Sequence, residues 1–285
     1  MPGMRDRGRR RARRPGAGEA SRSASAWRWS RARWLFFAVA AVAAAFLLLP
    51  AGSQFRPPSR AQRAVIVDQL SLTAPNPRFV ASATDLLRRD GYDVDYVPGE
   101  AVTVDFLRTL PERDYQLIIL RAHSGTTNTR TEETGELREE EYVSLFSGQP
   151  YDAGRYIYEQ RTGRVGPSAY LGGAHAGTKV FGIGPRFVSR SMQGRFDGAV
   201  IVMMGCGGMQ SPVTAQPFLD RGAAAFVGWD DLVSAEHTDA ATERLLGHLA
   251  PDRSNIVAAV DQTAAEAGPD PGYGAELRVV TAGQG

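Results

Sequence analysis

Two short, uninterrupted apolar stretches constrain this chain more than any other feature: Tyr115–Gly125, reading YQLIILRAHSG, and Gly198–Gly208, reading GAVIVMMGCGG. Neither alternates apolar with polar residues, so neither reads as a strand with one wet face. Their length, their Val, Ile and Leu content and the flanking glycines fit strands buried on both sides, the usual state inside a parallel sheet. The first run stops at His123 and the second at Cys206, the only cysteine in the chain. Open α/β sheets bind ligands at the carboxyl ends of their strands, so both side chains fall where chemistry is done.

The segments around these runs alternate. Ala64–Leu70 reads as a strand, Asn76–Asp90 as a helix with Pro77 near its start and Gly91 past its end, and Tyr92–Val97 as a second strand. Val102–Leu110 is a helix stopped by Pro111, and the His123 strand follows. Strands alternating with helices in this way imply an α/β fold: a three-layer sandwich with a mostly parallel sheet and helices on both faces. From Thr126 to Gly184 the rhythm breaks into an acidic and then Gly- and Tyr-rich insertion, leaving from the His123 strand end and expected to overhang it. Within it, Arg155–Tyr158 and Arg164–Leu171 are expected to pair as a hairpin, with Thr178–Ile183 as a further short strand. Pro185 suits the first residue of a helix leading to the Cys206 strand. Helices are expected again over Val213–Arg221, Thr238–Leu249 with Thr238 as N-cap, and Asn255–Ala267, with strands over Ala223–Trp229 and Ala275–Thr281.

Charge is distributed unevenly. Residues 1–33 hold eleven arginines against Asp6 and Glu19, leaving residues 34–285 with 22 basic and 29 acidic side chains, a net of about −7. A folded part of that sign is unsuited to phosphate backbones, so no nucleic-acid partner is expected. Residues 1–33 read as a basic disordered cytoplasmic tail. Residues 34–53 begin with WLFFAVAAVAAAFLLL, free of charge, and read as a transmembrane signal-anchor or, alternatively, a cleaved signal peptide. Residues 54–63, with Pro57 and Pro58, read as a linker, and 64–285 as the folded domain with its insertion at 126–184. Arginines before the apolar segment and few after it place the domain outside a cell membrane crossed once, or secreted after cleavage.

A lone cysteine excludes an internal disulfide, and on residue type alone it is a small buried hydrophobe. Its position beside His123 suggests instead a thiol activated by an imidazole, with Cys206 as nucleophile and His123 as general base. The glycines nearby let backbone approach a carbonyl, and the N–H groups of Gly125 and Cys206 are the expected oxyanion donors. Asp230, Asp231 and Glu236, just past the Trp229 strand, are expected to hold a basic side chain of a substrate. No paired ligand spacing supports a metal, and no cofactor is expected.

An apolar strand ending in His with Gly close behind, then an apolar strand ending in Cys, then FLDRGAAAFVGW at Phe218–Trp229, resembles the caspase-like cysteine peptidases: caspases, metacaspases, legumain, gingipains and the CHAT proteases. The chain looks like a divergent bacterial member over residues 64–285. The resemblance implies a caspase-hemoglobinase fold and peptide-bond hydrolysis through the Cys206–His123 dyad on a peptide or protein substrate. Ser124, between the His and the Gly, and Gly205, where an Ala commonly precedes the Cys, depart from the family pattern. The alternative expectation is a catalytically inactive caspase-like binding or scaffolding domain, anchored to the membrane.

Overall fold

A computed structural model of the chain describes residues 62–133 and 136–283. Among the described residues ten strands form two sheets. The larger has six strands: β1 (Gln62–Asp68), β2 (Tyr92–Pro98), β3 (Leu117–Arg121), β8 (Val200–Met203), β9 (Ala225–Trp229) and β10 (Leu277–Thr281). Their spatial order is β10-β9-β8-β3-β1-β2, with every pairing parallel except β10 against β9. The two apolar runs therefore lie side by side, Leu117–Leu120 in register with Val200–Met203. Every residue of β3, β8 and β9 is buried.

Successive side chains of these strands point to opposite faces, and each face has its own cover. Ala64, Ile66, Leu117, Ile119, Val200 and Val202 pack on helices α1 (Pro77–Arg89), α6 (Ala235–His248) and α7 (Ile256–Ala267). Val65, Val67, Ile118, Leu120, Ile201 and Met203 face α2 (Val104–Thr109), α4 (Pro185–Arg190), α5 (Pro212–Asp220) and the second sheet. This is a mixed α/β architecture with flanking helices on both sides of a mostly parallel sheet.

Helix starts follow local chemistry. Asn76 caps α1, its side chain accepting a hydrogen bond from the Phe79 N–H at 3.1 Å, and Pro77 occupies the first turn where its missing N–H costs nothing. Pro185 likewise opens α4. Ser234, not Thr238, caps α6, so this helix begins about one turn earlier than its apolar pattern predicts. Thr238 is inside it, accepting from the Trp229 indole N–H at 2.8 Å.

The insertion differs most from expectation. β4 (Ser124–Glu133) and β5 (Glu136–Pro150) form a long antiparallel hairpin, and β5 also pairs with β7 (Lys179–Ile183), which pairs with β6 (Val165–Ala169), giving the order β4-β5-β7-β6. Arg155–Tyr158 is not a strand: Tyr156 has a left-handed φ of 52° and caps the short helix α3 (Ile157–Arg161). β6 finds its partner in β7 because Val165 and Phe181 belong to one core with the large sheet, an attraction invisible to a local hairpin pattern.

The expected membrane anchor is not found among the described residues. Residues 34–53 lie outside the described residues, and among the described residues no helix is long and apolar enough to cross a membrane. The expected single-pass cell-membrane placement and membrane partner likewise find no support among the described residues. The basic tail at 1–33 and most of the linker also lie outside the described residues.

Candidate functional site

The carboxyl ends of β1 and β3 converge on one group of polar side chains. Its centre is Arg121, the last residue of β3, with none of its surface exposed. Its NH1 donates to Asp68 Oδ1 at 2.7 Å, its Nε and NH2 grip Asp239 Oδ1 and Oδ2 at 2.8 Å each, and NH2 also reaches the Ala74 carbonyl at 2.9 Å. Burial works against the guanidinium charge, but the hydrogen bonds with Asp239 and Asp68 outweigh it and raise its pKa above the ordinary arginine range. Asp239 accepts further from Asn76 Nδ2 at 2.9 Å, and Asp68 from the Tyr96 hydroxyl at 3.1 Å. One cation thus fastens β1, β3, α1 and α6 together.

His123 follows two residues later, half-buried. Its Nε2 shares a 2.8 Å hydrogen bond with Thr73 Oγ1, and its backbone N–H donates to Gln69 Oε1 at 2.9 Å. The ring meets Tyr170 edge-on at 5.2 Å and Phe146 at 6.0 Å, so the insertion does close over it. Gln69 Nε2 donates to the Tyr170 hydroxyl at 2.7 Å, tying that cover to the β1 end. Burial, then the nearby Arg121 charge, lowers the His123 pKa and so favours the neutral ring.

Cys206 sits beyond the end of β8, also half-buried. Its thiol turns to the Val233 backbone, with the carbonyl at 3.7 Å and the N–H at 3.5 Å from sulfur. Burial pushes the thiol pKa up; the backbone contacts with Val233 pull the other way without reversing it, and Asp231 and Asp270 add to the rise. A thiol in that state is a poor nucleophile at neutral pH.

The structure brings the His123 and Cys206 strand ends side by side but gives each side chain separate partners, and no hydrogen bond joins them. Among the described residues no group of three or more His, Cys, Asp and Glu side chains converges to hold a metal ion. Burial pushes the thiol pKa up, the sulfur turns to the Val233 backbone and His123 Nε2 is taken by Thr73, so the expected exported cysteine peptidase acting through a Cys–His dyad is corrected: this arrangement does not activate the thiol.

Gly125 is within β4 opposite Ser144, and the Cys206 carbonyl accepts from Ser124 Oγ at 2.7 Å. Asp230 Oδ1 accepts the Glu276 N–H at 2.7 Å, and Oδ2 faces Arg278 Nε at 3.3 Å, so its carboxylate serves its own chain. Asp231 is exposed, Oδ1 accepting from the Leu232 N–H at 2.7 Å, and Glu236 is exposed in the first turn of α6.

The sequence reading missed Arg121, Asp68, Gln69, Thr73 and Tyr170. An arginine at the end of an otherwise apolar run was the one available signal, since a buried guanidinium demands carboxylates. No protein-family model matches the chain, and no curated protein matches it.

Proposed function

We propose that the folded domain is a non-catalytic binding domain on a caspase-like α/β scaffold. Adjacent parallel strands leading into His123 and Cys206 in that chain order, helices on both faces, and the glycine-led strand β9 support the likeness to the caspase-hemoglobinase fold. One observation carries the non-catalytic reading: the two side chains a dyad would need are bound to Thr73 and Val233.

The Ser124 and Gly205 departures also support it, because they form one packing unit. A Cβ on Gly205 would run into Ser124 Oγ and stand 2.5 Å from the Ala122 carbonyl, so the residue preceding the cysteine has no room for the family's alanine.

The test is alkylation of Cys206 in the full chain by iodoacetamide across pH 6 to 10, with a peptide library assayed in parallel for cleavage and for binding. The expected outcome is alkylation slower than that of an unstructured thiol, an inflection above the ordinary cysteine range of about 8.5, and no peptide cut. Rapid alkylation at neutral pH, or cleavage that Cys206→Ala abolishes, would overturn the reading.

A further inference from the structure

β10 closes the large sheet at one side, and no described residue pairs with its outer edge. In an antiparallel pair each residue turns its N–H and C=O to the same side, alternating along the strand. The Asp230 N–H bonds the Glu276 carbonyl at 3.2 Å and the Ala282 N–H bonds the Ala224 carbonyl at 2.9 Å, so even-numbered residues spend their backbone groups on β9. Leu277, Val279 and Thr281 therefore turn theirs to the open edge.

A groove of about 440 Å³ runs beside this edge, walled by Val257, Val260 and Ala264 of α7 and by Leu277 and Val279. Val257 is 41% exposed although it stands on the apolar side of the groove. The rim is acidic. Arg278 is held by both Glu276 and Asp230, so its single positive charge is already spent on two carboxylates, and Asp261 of α7 adds a third.

We propose that the outer edge of β10 docks an extended peptide segment with apolar side chains on one face and lysine or arginine on the other, added to the sheet as a further strand. The unpaired backbone row supplies direction and hydrogen bonds, and the α7 wall takes alternate side chains of the incoming strand. Charge complementarity selects the partner: the surplus carboxylates favour a basic segment and repel an acidic one. The proposal rests on the reading of this protein as a binding domain and names its partner class, at an edge separate from the His123 and Cys206 strand ends.

The probes are an alternating valine–lysine peptide and its valine–glutamate counterpart, titrated into the full chain by fluorescence anisotropy. Val279→Pro deletes an N–H that makes no bond to β9, and Val257→Lys places a charge in the groove wall at an exposed helix position; circular dichroism checks that both fold. The valine–lysine peptide is expected to bind, and the valine–glutamate peptide and both variants to bind at least about tenfold more weakly. If Val279→Pro disturbs the fold, Val257→Lys carries the comparison alone. The proposal is overturned if the valine–lysine peptide does not bind, or if it binds the folded variants as tightly as the parent. It is also overturned if sedimentation shows a dimer that Val279→Pro splits, since a second copy then owns the edge. Cys206→Ser leaves this binding unchanged, so a reactive thiol would sink the non-catalytic reading while leaving the edge proposal standing.

Discussion

At Arg121 a single side chain carries the charge balance of the strand ends. Two carboxylates share one guanidinium, and all three groups are buried. Removing the cation strands two negative charges in the interior, so Arg121→Met is expected to lower unfolding free energy by about 3–5 kcal/mol in denaturant titrations. Part of that loss should return on acidification, because an unpaired buried carboxylate has a raised pKa and gains stability by protonation. Gly205 makes a second case. Gly205→Ala is expected to cost about 1–3 kcal/mol from overpacking, and a double-mutant cycle with Ser124→Gly should show a coupling clearly different from zero. Additive effects would mean that Ser124 is not what excludes the methyl group. Cys206 was legible as the end of a buried strand, but what its sulfur touches depends on Val233, 27 residues away and in no pattern with it.

Helix α6 is held to the approach of β10 by one carboxylate. Asp270 is 2% exposed; burial pushes its pKa up, but hydrogen bonds from Ser234 N–H and Oγ and from the Gly272 and Tyr273 N–H groups overcome this and hold it at about 2. Its folded pKa lies below the unfolded value near 3.9, so its stabilisation is fully present above roughly pH 5 and is lost as pH falls towards 2. Asp270→Asn is expected to lower stability at pH 7 by about 2 kcal/mol and to flatten the acid limb of the melting temperature against pH. An unchanged acid limb would assign that limb to other carboxylates. The β/α alternation from residue 62 onward was legible because each element shows its own apolar period. The β4–β5 hairpin was not, since the polar sequence from Thr126 to Glu141 offers no such period and its pairing is fixed by the partner strand.

Over the whole molecule the two sheets share a core: Val143, Leu145, Phe181 and Ile183 of the small sheet pack with Val65, Ile118, Ile201 and Phe226 of the large one. Shared burial couples their unfolding. Phe181, fully buried at this junction, is expected on replacement by Ala to cost about 3–5 kcal/mol while far-UV and near-UV transitions stay coincident. Separate transitions would show that the insertion folds by itself. The sequence alone determined the α/β class and the order of the core elements, while the pairing of the His123 strand with the Cys206 strand was fixed by the sheet. Class and order follow from hydrophobic period, proline and glycine placement, which act within a few residues. Only the tertiary structure decided that His123 goes to Thr73, that the thiol goes to Val233 and that Arg121 is clamped between Asp68 and Asp239. Each of these contacts joins segments 27 to 118 residues apart, and which of several polar neighbours a buried group takes is settled by packing geometry after the chain has folded.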